Sequence, residues 1–120
     1  MSDEGRVPEE RRRTPRYPFI ATAEVLDQAT KTTIATRVTE LSLYGCYIEM
    51  RSPLPAGSSI HVKVYSEAKF FEAAGSVVYA VPNGGIGVRF HDVRHQFLLV
   101  LKEWLIAAAQ AKYGKQPKSL

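Results

Sequence analysis

Alternating hydrophobic and polar residues predict a series of short β-strands along most of the chain. In residues 19–26, and again in residues 60–65, apolar side chains occupy every second position, as in a strand with one buried face. Residues 32–40 are rich in β-branched side chains, which favour strands. We expect six strands, over residues 19–26, 32–40, 46–50, 60–65, 70–81 and 86–90.

Turn-forming residues separate the predicted strands. The polar residues 27–31 indicate a first turn, residues 41–45 a tight corner, and the prolines and glycine of residues 52–57 a clear break. Residues 82–85, with the sequence Pro-Asn-Gly-Gly, are typical of a hairpin turn. Gly75, inside the long fifth strand, predicts a β-bulge or a point of close backbone approach.

The hydrophobic period changes after Val93, where a helical stripe replaces the alternation. Its members are Phe97, Leu98, Leu101, Trp104, Leu105 and Ala108. We expect Asp92 to cap this helix and Gly114 to end it. Six strands followed by one amphipathic helix predict a mainly β fold: a six-stranded antiparallel β-barrel, or a strongly curled sheet, with a C-terminal α-helix across one opening.

The chain length of 120 residues suits a single domain. We expect a flexible N-terminal tail over residues 1–10, one domain over residues 11–112 and a flexible C-terminal tail over residues 113–120. Leu99, Val100 and Ile106 fall off the main helical stripe. This surplus of apolar surface could support a weak homodimer of an otherwise monomeric protein.

The lack of a recognisable targeting signal and the single cysteine lead us to expect a cytoplasmic protein. The polar N-terminus lacks the apolar core of a signal peptide. The longest apolar-rich stretch, residues 97–109, is interrupted by Lys102 and Glu103 and is too short to insert across a membrane. The single cysteine, Cys46, excludes an intrachain disulfide and any metal site built on several cysteines.

The chain contains few side chains that could act in catalysis. We therefore expect that it is not an enzyme and that it binds no metal or cofactor. Cys46 has no activating partner nearby in sequence and is better explained as a small buried residue. His61 alternates with the apolar face of its strand and should face solvent. His91 and His95 are four residues apart, but no acid or cysteine completes a metal site. The glycine-rich residues 84–87 lack the lysine and helix of a phosphate-binding loop.

The strongest candidate chemistry lies in an arginine cluster ahead of the first strand. The formal net charge of +4 favours anionic partners but is too small to indicate duplex DNA. Arg12 and Arg16 share one face if the chain is extended, as Pro15 and Pro18 favour. Each guanidinium could make paired hydrogen bonds to phosphate or to the O6/N7 edge of guanine. A solvated basic tail explains the cluster equally well.

The corner between the second and third predicted strands carries further candidates. Ser42 offers a hydroxyl, and Gly45 permits a positive φ angle or close backbone approach by a ligand. Glu40 could accept hydrogen bonds from the N1–H and N2–H₂ groups of a guanine. An ordinary β-corner explains the serine and the glycine without a ligand.

Taken together, these residues resemble the bacterial PilZ domain family, whose members bind the second messenger cyclic di-GMP. The family carries Arg-x-x-x-Arg before its first strand, matched here by residues 12–16, and Arg11 matches a frequent extra arginine. Its second motif, Asp or Asn followed by x-Ser-x-x-Gly, corresponds to residues 40–45, where Glu40 replaces Asp or Asn. Residues 85–90 look like the last barrel strand of the family, and the resemblance covers roughly residues 11–112.

The resemblance implies a cyclic di-GMP receptor rather than an enzyme. The site residues it implies are Arg11, Arg12, Arg16, Glu40, Ser42 and Gly45. The arginines would clasp phosphate and guanine from outside the barrel, and the corner residues would hold the other side of the ligand. Binding would order residues 11–18 and so change the surface offered to an unidentified protein partner.

Two other classes of function are open at this stage. Glu40 is one methylene longer than Asp, which displaces its carboxylate by on the order of 1 Å and favours a degenerate adaptor that binds proteins but no nucleotide. A binder of single-stranded nucleic acid is less favoured, because basic residues outside the arginine cluster are scattered and no strand interleaves them with aromatics. We therefore expect neither DNA nor RNA as a partner.

Overall fold

The computed structural model describes residues 14–114, which form a closed, six-stranded antiparallel barrel followed by one helix. The elements are β1 (Tyr17–Asp27), β2 (Thr32–Leu41), β3 (Gly45–Glu49), β4 (Ser59–Ser66), β5 (Lys69–Val81), β6 (Gly85–His91) and α1 (His95–Gly114). Around the barrel the strands follow the order β1-β2-β3-β6-β5-β4. The predicted fold class is confirmed, and the pairing of β1 with β4 decides for a barrel over a curled sheet.

Part of the predicted domain organisation lies outside the described residues. This holds for the N-terminal tail over residues 1–10 and for Arg11 and Arg12 of the predicted site. Of the predicted C-terminal tail, only residues 113 and 114 are described, and they continue α1. The domain boundaries therefore stay predictions.

The barrel interior is filled by apolar side chains from alternate strand positions. In β4, Ile60, Val62 and Val64 are at most 1% exposed, and Phe71 of β5 is fully buried. Burying one side chain of this size stabilises the fold by about 1.5–3 kcal/mol. Because this packed interior holds hydrocarbon almost throughout, polar chemistry has to be sought on the outer surface.

Strand β5 contains one register shift, although not at the predicted residue. The pairing of β5 with β6 shifts between Val77 and Tyr79, so the prediction of a bulge at Gly75 is wrong. The alternative prediction for Gly75, close backbone approach, holds, because a Cβ there would lie 2.8 Å from the carbonyl oxygen of Arg89. The shift leaves the adjacent residues Val78 and Tyr79 both exposed, at 47% and 42%.

Helix α1 packs at one end of the barrel against β1 and β5. Trp104 stacks on Phe19 with ring centroids 5.2 Å apart, and Phe97 packs against Phe70 at 5.4 Å. The predicted stripe faces the barrel: its buried members are Phe97, Leu101, Trp104 and Ala108, with Leu98 and Leu105 half-buried. Within residues 14–114, no helix is long and apolar enough to cross a membrane.

The helix begins later than the sequence predicts. Its first residue is His95, and the carbonyl of Arg94 accepts hydrogen bonds from the amides of Phe97 and Leu98. The prediction that Asp92 caps α1 is therefore wrong. Asp92 has a φ angle of 45° and turns the chain out of β6, a conformation that a short polar side chain tolerates.

Candidate functional site

A cleft of about 250 Å³ opens on the outer surface of the barrel, where the start of β1 meets the corner between β2 and β3. Tyr17 pairs with Leu41 across the β1–β2 ladder, which brings the preceding residue, Arg16, beside the corner. Of the predicted site residues, the cleft is lined by Arg16, Glu40, Ser42 and Gly45. Arg11 and Arg12 precede the described residues. Two segments about 25 residues apart in sequence thus meet at one surface.

The corner itself is held by hydrogen bonds between Ser42 and Gly45. The amide of Ser42 donates to the carbonyl oxygen of Gly45 at 2.9 Å, and the amide of Gly45 donates to Ser42 Oγ at 3.1 Å. The Ser42 hydroxyl also donates to the Gly45 carbonyl at 3.2 Å. These bonds fix the backbone of the corner, and Ser42 is 9% exposed.

The packing of β3 against β6 requires a glycine at position 45. Of the two alternatives that the sequence left open for Gly45, a positive φ angle is not adopted. A Cβ at this position would overlap the carbonyl oxygen of Val88 on β6, so the missing side chain lets β6 approach. Gly45 also lines the cleft, with backbone atoms alone.

Glu40 places a carboxylate at the edge of the cleft. It pairs with Pro18 of β1 and with Tyr47 of β3, at the point where the β2–β3 register shifts. The side chain is half-buried, and within residues 14–114 it has no hydrogen bond or ion pair. Its oxygens are therefore available to accept hydrogen bonds from a ligand.

An aromatic wall, formed by Tyr47 and Tyr79, lines part of the cleft. Both residues pair with Gly87 of β6, one from each neighbouring strand. Their rings are stacked, with centroids 6.4 Å apart and planes at 28°. A Cβ on Gly87 would overlap the Tyr79 ring, so the glycine provides the space in which that ring lies. Sequence reasoning missed this wall. The one feature that could have indicated it is Gly87, a glycine inside the apolar strand 86–90, because such a glycine often marks the close approach of another group.

Arg89 is a second site residue that sequence reasoning missed. It lies on β6 opposite Gly45 of β3 and lines the same cleft as Arg16. Alternation with the buried residues Ile86 and Val88 was enough to place Arg89 on the outer surface. The strand order was needed to place it beside the corner.

The remaining reactive side chains lie elsewhere. Cys46 is buried, and burial raises the pKa of its thiol, which disfavours the nucleophilic thiolate. On the outer surface, His61 Nε2 lies 3.2 Å from a carboxylate oxygen of Glu72, and His91 Nε2 lies 2.5 Å from Ser76 Oγ. In the part of the chain that the structure describes, no three potential metal ligands come together.

Comparisons with known proteins agree with this architecture. The family model described as PilZ domain matches residues 10–107. The structure is similar to the PilZ domain of YcgR from Escherichia coli with c-di-GMP, with a TM-score of 0.68 and 18% identity over 88% of this chain and 98% of that chain. No curated protein matches the sequence.

Two further solved structures share the fold. The inhibitor of motility MotI/DgrA from Bacillus subtilis aligns with a TM-score of 0.69 and 12% identity, over 84% of this chain and 52% of that chain. The PilZ domain of CeSA from a cellulose-synthesizing bacterium aligns with a TM-score of 0.61 and 14% identity, over 83% of this chain and 100% of that chain. At such identities these structures show the fold alone.

Proposed function

The chain belongs to the PilZ domain family, and we propose that it is a receptor for cyclic di-GMP that signals through a protein partner. The observation that carries the proposal is the cleft at the β2–β3 corner. It brings Arg16 together with Glu40, Ser42 and Gly45, which come from separate parts of the sequence. A basic group and a carboxylate acceptor on one outer surface match the anionic and donor groups of a guanine dinucleotide.

Arg16 supplies the anion-binding part of the proposed site. A guanidinium can make two parallel hydrogen bonds to phosphate oxygens or to the O6/N7 edge of guanine. Arg16 is exposed and, within residues 14–114, has no acidic partner that would compete with a ligand. We assign Arg11 and Arg12 to the same role, on their place in the family's Arg-x-x-x-Arg motif.

The aromatic wall of Tyr47 and Tyr79 supports a base as the second component of the ligand. Purines stack on aromatic rings with a free-energy gain of about 1–3 kcal/mol per base. The exposed part of the Tyr79 ring, above Gly87, is directed at the volume that Arg16 and Glu40 also border. A guanine held there would present its N1–H and N2–H₂ donors to a carboxylate acceptor.

The signal would leave the site through α1. Tyr17, next to Arg16, lies under Lys112 of the last turn of α1, with the ammonium 5.6 Å from the ring centroid. Phe19 stacks on Trp104 of the same helix. Tyr17 and Pro18 already belong to β1, so a ligand would act by ordering the residues before them, and this would change contacts that α1 makes. The entropy of ordering is a cost that the ligand contacts have to offset.

Isothermal titration calorimetry with cyclic di-GMP tests the proposal directly. We expect saturable binding by the wild-type chain, and a loss of at least about tenfold in affinity for Arg16→Ala. Arg37→Ala is the matched control, because Arg37 is bonded to Glu49 outside the cleft. Equal affinity of wild type and Arg16→Ala would overturn the site.

The same titration separates the receptor from a nucleotide-free adaptor, which the replacement of Asp or Asn by Glu40 favours. If the wild-type chain shows no heat and no backbone NMR shifts at Arg16 or Ser42 at millimolar ligand, the adaptor is the correct function.

A further inference from the structure

Arg89 is placed to act as a second anion-binding arm of the cleft. Its cross-strand neighbours on the outer surface are Gly45 of β3 and Ser76 of β5. Both are small, so no large side chain beside Arg89 separates it from the cleft. Its side chain lines the same volume as Arg16 but is carried by β6, which is about 70 residues later in the sequence.

The charge around Arg89 is unbalanced. Within residues 14–114, neither Arg89 nor Arg16 has an ion pair or a hydrogen bond to an acid. Arg37 shows the contrasting case on the same outer surface, because its Nε and Nη2 donate to the two carboxylate oxygens of Glu49 at 2.8 and 3.3 Å. Among residues 14–114, the cleft is therefore lined by two arginines and by one carboxylate, that of Glu40.

A guanidinium that borders a cleft without an acidic partner is free to bind an anion from outside the protein. Its five N–H groups form a rigid fork that matches phosphate oxygens in two parallel bonds. Two such forks in one cleft repel each other unless an anion neutralises each of them. A cyclic dinucleotide carries two phosphodiester groups on one rigid ring, so Arg16 and Arg89 could each bind one of them, in addition to the contacts that Arg11 and Arg12 of the family motif would make.

We propose that Arg89 binds one phosphodiester group of the ligand while Arg16 binds the other. This inference rests on the proposed function and names how the two charges of the ligand are divided between β6 and the segment before β1. The ligand then links the start of β1 to β6, two segments that are not neighbours in the strand order.

Calorimetry on three arginine variants tests the proposal. Arg89→Ala is expected to weaken cyclic di-GMP binding by at least about tenfold. Arg89→Lys keeps the charge but not the fork, so an intermediate loss is expected. Arg37→Ala is the control and is expected to bind within about twofold of wild type. Circular dichroism and thermal unfolding verify that each variant is folded, and Arg89→Gln replaces any variant that is not.

A second titration distinguishes phosphate from base as the group that Arg89 binds. The probe is a cyclic dinucleotide with one guanine and one adenine, which keeps both phosphates. If Arg89 binds phosphate, Arg89→Ala weakens both ligands by the same factor, and its binding depends less on salt than that of wild type. A loss confined to cyclic di-GMP would overturn the assignment to phosphate.

The outcomes separate this inference from the function on which it rests. If wild type does not bind cyclic di-GMP, the proposed function fails. If wild type binds, Arg16→Ala weakens binding and Arg89→Ala binds as wild type does, the receptor stands and the role of Arg89 is refuted.

Discussion

The side chains of β6 that point into the barrel and those that point out of it form two very different surfaces. Inside, Ile86, Val88 and Phe90 are 0%, 4% and 8% exposed and belong to one apolar cluster. Outside, Gly87 lies under an aromatic ring and Arg89 borders the cleft. The inner face is determined by volume and hydrophobicity, whereas the outer face is determined by which small and charged residues stand next to one another. Stability and ligand binding should therefore respond to different substitutions on one strand.

The largest effect is expected on the inner face. Ile86→Ala removes a fully buried side chain and leaves a cavity, so the free energy of unfolding should fall by about 2–5 kcal/mol. Urea denaturation measures this loss. Ile20→Ala is the matched control, because Ile20 is 69% exposed and its truncation should change stability by no more than about 0.5 kcal/mol.

The folded fraction of Ile86→Ala should bind cyclic di-GMP within about twofold of wild type, because Ile86 does not line the cleft. Normal stability combined with lost binding in this variant would contradict the separation of the two faces.

On the outer face, Gly87→Ala should weaken binding by about tenfold with a smaller effect on stability. The new Cβ overlaps the Tyr79 ring, which has to leave its place over β6. A double-mutant cycle with Tyr79→Ala checks this reason, since the second substitution should add little once the ring is displaced or absent. Fully additive losses would show that Gly87 acts independently of the ring.

A smaller effect is expected at the edge of the cleft. Glu40→Asp shortens the side chain to the length that the family motif carries, and we expect cyclic di-GMP affinity to rise by about threefold. Calorimetric titration measures this change. Glu49→Asp, the same substitution outside this cleft, is the control and should leave the affinity unchanged. Weaker binding by Glu40→Asp would mean that the longer side chain is the one this cleft requires.

The smallest effect is expected for the exposed pair of Arg37 and Glu49. The hydrogen bond from Arg37 lowers the pKa of Glu49 below its ordinary value of 4.5, so the pair stabilises the fold above that value. This contribution is lost as the pH falls through the lowered pKa of the folded state. Thermal unfolding of Glu49→Gln should therefore differ from wild type at pH 7 and converge with it in strong acid. A constant difference at all pH values would exclude the ion pair as its cause.

The sequence was sufficient for the barrel because alternation within a strand reports burial directly. Residues 60–65 illustrate this, since the apolar positions counted there are the buried ones in β4. The corner and Arg16 became candidates through their spacing and their resemblance to a family. Their ligand contacts stay predictions.

Tyr79 was inaccessible to the same reasoning. Counting alternation along β5 from the buried Phe71, Ala73 and Val77 places Tyr79 inside the barrel. The register shift after Val77 turns it outward, because a single extra residue exchanges the two faces of a strand. The position of Arg89 beside the corner could not be predicted for a different reason. It depends on the strand order, in which β6 lies between β3 and β5.

The closure of the barrel limits how a partner protein can bind. Each of the six strands is paired on both sides over part of its length, so no strand within residues 14–114 has an edge that is free from end to end. A partner would therefore find only short stretches of free edge on which to add a strand of its own, which is a common way of recognising extended peptides. Recognition would instead go mainly through side chains, and among the exposed apolar ones are Leu99 and Ile106 on the outer side of α1. A partner would thus recognise this domain mainly by the side chains on its surface, and less by backbone hydrogen bonds shared between the two proteins.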